Sequence, residues 1–246
     1  MMLKYEYVPN GFGIGIMVPI LKPNENNKSD STDDYRGASI NPIVSKLFEM
    51  CLLDIFNKYL VSSNRQFGFK SKSSCAHAIY SARITAEYFI NRDSTVNLCA
   101  IDMQKAFDKM NKYALFLKLM NCNCPIILLN LLDCWYSKVF AKVKWGNCFS
   151  HLVQLISGTR QGGLMSPTLF AIFINDILVK LEASGLGCFI RNVCFNSFMY
   201  ADDLLLLSIS MSQLQKMLNI CFEELDSLDM KISVKQLKLA TSRKEV

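Results

Sequence analysis

Two adjacent carboxylates set inside an apolar run constrain this chain more than any other stretch: Phe198-Met199-Tyr200-Ala201-Asp202-Asp203-Leu204-Leu205-Leu206-Leu207. Four apolar residues follow Asp203 without a break, as they do in buried strands, so Asp202 and Asp203 are expected at the tip of a hairpin whose arms lie in the core. Like charges side by side push a pKa up unless a cation neutralises them. A partner charge is therefore sought: a further carboxylate with a divalent metal, or a lysine. Asp-Asp is also ordinary turn chemistry, and the dipeptide by itself leaves both readings open.

At 246 residues the chain is long enough for one large domain or two small ones. Hydrophobic residues at 51% and charged ones at 20% describe a folded protein and argue against disorder. A net charge of +6 suits a polyanionic partner without demanding one. The ten cysteines are scattered, with no CxxC pair and only His77 and His151 beside them, so reduced core thiols are expected in place of a zinc site. The start, Met1 to Glu6, lacks the layout of a signal peptide, and no apolar run approaches the ~18 residues that span a bilayer. The expectation is an intracellular protein, in the cytoplasm or nucleus, neither secreted nor embedded in a membrane.

Residues 12 to 22 read as a strand ending at Lys22, followed by a polar loop over 24 to 34. Asn41-Pro42 opens a helix to about Leu60, with Ile43, Leu47 and Met50 at helical spacing, and Ser73 or Ser74 opens another with Ile79, Ala82 and Ala86 on one face. Arg65 to Lys70 between them is a basic and aromatic loop, either a solvated connection or a contact for a phosphate backbone. Val96 to Met103 alternates so that Asp102 shares a face with Val96, Leu98 and Ala100. A charge on that parity needs a reason.

Helices follow at 111 to 120 and from Pro125 to about Tyr136, and a hairpin turns at Gly146-Asn147. Ser157 to Gly163 is a glycine-rich turn ahead of a Ser166-Pro167 helix start, with Leu169, Ile172, Phe173 and Ile177 facing the core. Ser212 with Gln215 reads as a capping box, and Lys231 to Thr241 as a last strand. Strands and helices mixed without βαβ regularity predict an α+β domain with antiparallel hairpins.

If the strands carrying Asp102 and the Asp202-Asp203 pair are neighbours, three carboxylates converge into a hard-oxygen site suited to Mg²⁺. Two such ions clamp the attacking and leaving oxygens of a phosphoryl displacement.

The ordered motifs resemble the fingers and palm of a non-LTR retrotransposon reverse transcriptase over nearly the whole length. Tyr35-Arg36-Gly37-Ala38-Ser39-Ile40 with Ile43 to Glu49 resembles one fingers segment, and Gln66-Phe67-Gly68-Phe69-Lys70 through Ser74 the second. Ile101-Asp102-Met103-Gln104-Lys105-Ala106-Phe107-Asp108 resembles the first palm motif. Thr159-Arg160-Gln161-Gly162-Gly163 with Ser166-Pro167 resembles the next, and Tyr200-Ala201-Asp202-Asp203 the polymerase box.

The resemblance implies a right-hand polymerase, with a fingers-like part over 1–95 and a palm-like part over 96–246, whose antiparallel sheet is backed by helices. It implies RNA-directed DNA synthesis with an RNA template, a DNA primer, dNTPs and two Mg²⁺ ions. Asp102 and Asp202 are implied as ligands of both metals with the carbonyl of Met103, and Asp203 as added charge. Lys22, Arg36, Gln161 and Gly162 are implied to meet the incoming nucleotide, and Phe107 to lie under its sugar as a steric gate that excludes a 2′-hydroxyl.

Two departures stand out. Gln236 occupies the place of a family lysine thought to protonate the leaving pyrophosphate, so the expectation is that either Lys235 or Lys238 substitutes or that this step is impaired. The chain stops at Val246, directly after that motif. The expectation is that the thumb is absent and processive synthesis impaired. The competing expectations are a catalytically inactive element remnant that keeps nucleic-acid binding, and an RNA-dependent RNA polymerase, which the aromatic gate disfavours.

Overall fold

The computed structural model describes residues 1–22, 31–103, 106–159, 162–230 and 237–242. The first elements are α1 (Met2–Tyr5), α2 (Asn10–Gly13), β1 (Ile14–Leu21), β2 (Tyr35–Ile40) and α3 (Ile43–Ile55). Next come α4 (Cys75–Ile90), β3 (Val96–Asp102), α5 (Ala106–Lys109), α6 (Lys112–Asn121) and α7 (Ile126–Tyr136). Three short strands follow, β4 (Phe140–Trp145), β5 (Cys148–Phe149) and β6 (Val153–Gln154), then α8 (Ser166–Phe173) and α9 (Asn175–Ala183). The last elements are β7 (Cys188–Ile190), β8 (Val193–Phe195), β9 (Ser197–Tyr200), β10 (Asp203–Ser208), α10 (Met211–Ser227) and β11 (Lys238–Ser242). None of the described helices is long and apolar enough to cross a membrane.

The chain forms two compact units, one from Met1–Leu60 and Leu115–Leu169, the other from Val61–Ala114 and Phe170–Val246. In the first, a sheet of order β2-β1-β4-β5 carries β6 on β4, with β1 antiparallel to β2 and parallel to β4. Its core gathers the fully buried Leu52, Leu115, Leu119, Leu128 and Leu131, with the rings of Phe12 and Phe48 set against Trp135. In the second, the sheet runs β11-β3-β10-β9, antiparallel throughout. Helix α4 sends Ala82, Ala86 and Phe89 onto one face, against Val96, Leu98, Leu205 and Leu207. Helix α10 packs against β3 and β10 and beside α9. Its Cys221 is wholly buried, as is Cys99 on β3. The α+β class expected from the mixed pattern is what the chain adopts.

Several local expectations are corrected. The strand read from residue 12 starts at Ile14, because Asn10–Gly13 closes a helical turn first. Helix α3 is capped at Pro42 with no side-chain cap, ends at Ile55 short of Leu60, and turns Ile43, Leu47 and Met50 outward while burying Ser45, Glu49 and Leu52. The polar pair is tolerated inside because it is satisfied: Ser45 Oγ donates to the Pro42 carbonyl at 2.7 Å, and Glu49 accepts backbone N–H groups of 164 and 165. The Ser166 helix breaks at Ile174 into α8 and α9, where the Asn175 side chain accepts from the Ser63 N–H at 2.7 Å. The capping box at Ser212 is not formed: α10 starts at Met211 after Ser210, and Gln215 hydrogen-bonds Asn219 on its own helix. Ser74, by contrast, caps α4 as the pattern implies, accepting from His77 N. All ten cysteines are free thiols.

Candidate active site

Asp102 ends β3 and Asp203 begins β10, and the register makes them direct partners, with Leu204 opposite Ile101 and Leu205 opposite Ala100 behind them. Residues directly opposite in an antiparallel ladder project from the same face. That is the face α4 covers, and Asp102 and Asp203 both line a cleft of about 360 Å³ there with Cys75, Ala100, Tyr200 and Lys238. Tyr200 pairs with Asp203, so a two-residue turn joins β9 to β10, with Ala201 first and Asp202 second. The run of four leucines explains this placement. Alternate residues Leu204 and Leu206 are wholly buried, and Leu207 seals the other face, so only the strand's first residue is left to carry a charge at the rim.

Burial, and then the charges of Asp202 and Asp203 in that order, raise the Asp102 carboxyl above its ordinary value of 3.8. Burial and then Asp202 raise Asp203 in the same way. Asp102 thus feels the charges of both neighbours, and Asp203 that of Asp202. The folded chain holds these protons more tightly than an unfolded one, so the contribution to stability is fullest below pH 3.8 and is lost as pH rises through the raised values. Asp203→Asn is accordingly expected to raise the thermal midpoint at pH 7 in metal-free buffer by about 1–3 °C. Added Mg²⁺ should stabilise the unaltered chain more than the variant. A midpoint lowered by the substitution in a pH series of unfolding scans would contradict the repulsion.

The donor set fits magnesium. Carboxylate oxygens are hard donors, and Mg²⁺ is usually held by one or two carboxylates with waters and substrate phosphates, not by an all-protein cage. Among the described residues no group of three or more His, Cys, Asp or Glu side chains is gathered to hold a metal alone. A pair on one face with a third charge in the adjoining turn meets the looser requirement.

The other expected residues divide between the units. Met103 follows Asp102 and is buried, and Phe107 sits half-buried in α5, its ring 4.4 Å from that of Phe170 and 5.9 Å from that of Phe69. These belong with the carboxylates. Arg36 and Lys22 belong to the first unit. Arg36 is exposed on β2 opposite Ile20, and Lys22 lies two residues beyond Ile20, its N–H donating to the Asp34 carbonyl at 2.8 Å. Gly162, in the same unit, has φ 77, and a Cβ there would collide with the Ser39 carbonyl, so both conformation and space require glycine. Gln161, Lys235 and Gln236 lie outside the described residues. Lys238 is described: it stands opposite Ala100, two residues from Asp102, and lines the cleft.

Two functional supports escaped the sequence reading, Glu49 and Gln66. Each is a long polar residue that is almost wholly buried, 4% and 1% exposed. The signal available for Glu49 was its place one turn beyond Ser45 in a helix. For Gln66 it was its place in a loop motif that reads as either a solvated connection or a contact for a phosphate backbone.

Known proteins resemble this chain along most of its length. Residues 20–246 match the family model for reverse transcriptase (RNA-dependent DNA polymerase). The RNA-directed DNA polymerase from mobile element jockey of Drosophila funebris is 26% identical over 192 residues, covering 75% of this chain and 20% of that protein. A probable RNA-directed DNA polymerase from transposon BS of Drosophila melanogaster is 25% identical over 181 residues, 71% of this chain and 19% of that one. The chain thus spans about a fifth of the length of these relatives. Among solved structures, apo telomerase from Candida tropicalis truncated from its C-terminal domain superposes with a TM-score of 0.65 at 12% identity, covering 99% of this chain and 54% of the other. At that identity the likeness is one of fold.

Proposed function

The chain belongs to the reverse transcriptase (RNA-dependent DNA polymerase) family, and from that premise we propose that it is the catalytic part of an RNA-directed DNA polymerase of the non-LTR retrotransposon kind. The observation that carries this reading is the direct pairing of Asp102 with Asp203 across β3 and β10, with Asp202 in the adjoining turn. Asp102 and Asp202, with the backbone carbonyl of Met103, hold two magnesium ions, and Asp203 adds charge. Magnesium held by these residues would supply neutralisation of the charge that builds up on the phosphate when a primer 3′-hydroxyl attacks the α-phosphate of a dNTP and pyrophosphate leaves.

The chain's own residues bind and select. Arg36 has the planar fork for bidentate pairing with phosphate oxygens, and Lys22 adds a point charge near it. Gln161 and Gly162 contact the incoming nucleotide. Lys238, beside the carboxylates in the cleft, is the candidate to take the part of the lysine that Gln236 replaces. Residues 1–95 form the fingers-like part and 96–246 the palm-like part. The partners are an RNA template and a DNA primer, and the work is done inside the cell, in cytoplasm or nucleus.

Primer extension on an RNA template with dNTPs and Mg²⁺ tests the proposal, with extended product expected. Template binding without any extension would favour an inactive remnant. Phe107 is the proposed gate under the sugar. Phe107→Val should raise incorporation of rNTP relative to dNTP by roughly tenfold, since what is lost is a steric rejection worth on the order of 1–3 kcal/mol. An unchanged ratio, measured in single-nucleotide extension, would reduce the ring to a packing element between Phe69 and Phe170.

A further inference from the structure

The turn that carries Asp202 is not a self-sufficient hairpin. Its first residue, Ala201, has φ 57, a left-handed conformation that disfavours any residue with a Cβ. Two-residue hairpin loops usually meet that demand with glycine or asparagine. Ala201 has neither device, so something outside the hairpin must hold it.

The outside support is the segment from Arg65 to Gly68. The Gln66 amide closes on Ala201 from both sides: its Oε1 accepts from the Ala201 N–H at 3.1 Å, and its Nε2 donates to the Ala201 carbonyl at 3.1 Å. The same Oε1 accepts from Gly68 N–H at 2.9 Å, which fixes the side chain's rotamer from its own loop. The backbone adds a short parallel bridge along β9: Phe67 N–H donates to the Met199 carbonyl at 2.7 Å, and Met199 N–H to the Arg65 carbonyl at 2.9 Å.

Gly68 completes the fit by absence. A Cβ there would lie 2.5 Å from the Ala201 nitrogen, closer than real Cβ atoms come, so only glycine lets the loop approach. The segment is tied down at both ends. The Arg65 guanidinium donates to the Cys194 carbonyl and lies 3.5 Å from Glu182, and Lys70 Nζ donates to the carbonyls of Ser62 and Ser63 at 3.0 and 2.6 Å.

Gln66 is 1% exposed, so its amide has no solvent to turn to. A buried glutamine needs partners whatever its task. What distinguishes this one is that both ends of its amide finish on a single residue, the one immediately before Asp202.

We infer that Arg65–Gly68 is a splint for the carboxylate-bearing turn, and that Gln66 is a positioning residue, which sets where Asp202 and Asp203 present their oxygens without touching metal or substrate itself. The inference rests on the polymerase reading only for its catalytic consequence. The mechanical claim stands on the hydrogen bonds. Supporting groups of this kind usually matter to a metal site nearly as much as the ligands do.

The test uses the full chain with Gln66→Met, which keeps length and apolar volume but removes both hydrogen-bonding ends, and with Gly68→Ala, which removes no hydrogen bond and only forces the loop away. Far-ultraviolet circular dichroism confirms the fold of each. If Gln66→Met does not fold, Gln66→Glu replaces it, keeping the acceptor and losing the donor. In folded variants the Ala201 amide should exchange its hydrogen at least about tenfold faster, and Mn²⁺ affinity, followed by its electron paramagnetic resonance signal, should fall by roughly tenfold. Primer extension should lose kcat with little change in the KM for dNTP, which mere global destabilisation at a permissive temperature does not produce.

Exchange and Mn²⁺ affinity equal to those of the unaltered chain would overturn the splint. The two readings fail separately. A chain that never extends a primer, but whose variants still loosen Ala201 and Mn²⁺, keeps the splint and loses the polymerase. A chain that extends primers equally well with and without Gln66 keeps the polymerase and loses the splint.

Discussion

Asp102→Asn and Asp202→Asn will each reduce primer extension on an RNA template by about a thousandfold while leaving a folded chain. Asparagine is nearly isosteric, so packing is preserved and only charge and oxygen-donor capacity change. Asp102 stands at the half-buried end of β3, where removal of a carboxylate relieves repulsion and does not open a cavity. The expected pattern is therefore a loss of synthesis with an unchanged or raised thermal midpoint. Direct Mn²⁺ titration should show weakened binding in both variants. Extension surviving in Asp202→Asn would refute the assignment of that residue to the metal pair.

The largest loss of stability is expected at a residue that does no chemistry. Glu49, buried on α3, accepts hydrogen bonds from the Leu164 and Met165 N–H groups just ahead of α8, the latter at 3.3 Å. Met165, whose carbonyl accepts the first bond of α8 from the Leu169 N–H, has one of the N–H groups that a helix start leaves without an intrahelical partner, and a carboxylate there also meets the positive end of the peptide dipoles. Glu49→Ala leaves the Leu164 and Met165 N–H groups without this acceptor, the second of them buried, and should cost about 2–4 kcal/mol. That is equivalent to a thermal midpoint lower by roughly 5–10 °C. Glu49→Gln keeps one acceptor and should lose less than half as much. Urea unfolding of both variants decides the matter, and a loss under about 0.5 kcal/mol in Glu49→Ala would show that the cap is dispensable.

Much of the site was legible because it is written in strand grammar. Alternation in β3 and an unbroken apolar run in β10 fix which face each residue takes, so the meeting of Asp102 with Asp203 required only that the strands be neighbours. The inward face of α10 was legible for the same reason, since Leu214, Met217, Leu218, Cys221 and Leu225 recur at helical spacing and are buried. Helix α3 was not. Its apolar stripe points outward, and its buried face carries Ser45, which bonds back to the Pro42 carbonyl of its own first turn, and Glu49, whose partners lie 115 and 116 positions away, so no apolar periodicity could announce them. At the break between α8 and α9, Asn175 takes its hydrogen bond from Ser63, 112 positions away. Gln66 was hidden because the residue that both ends of its amide reach, Ala201, is 135 positions away. Local patterns report burial by apolar groups, whereas buried polar groups are explained only by what the finished fold brings to them.

The division of the chain has a consequence for how it comes to be folded. Each compact unit is assembled from two separated stretches, 1–60 with 115–169 and 61–114 with 170–246. During synthesis the first stretch must wait for its complement while the opening half of the other unit emerges, so neither can mature in the simple N-to-C order of a beaded chain. Excising either one as a contiguous gene fragment would sever its own core. An expressible half requires two pieces supplied together, or a permuted chain that joins them.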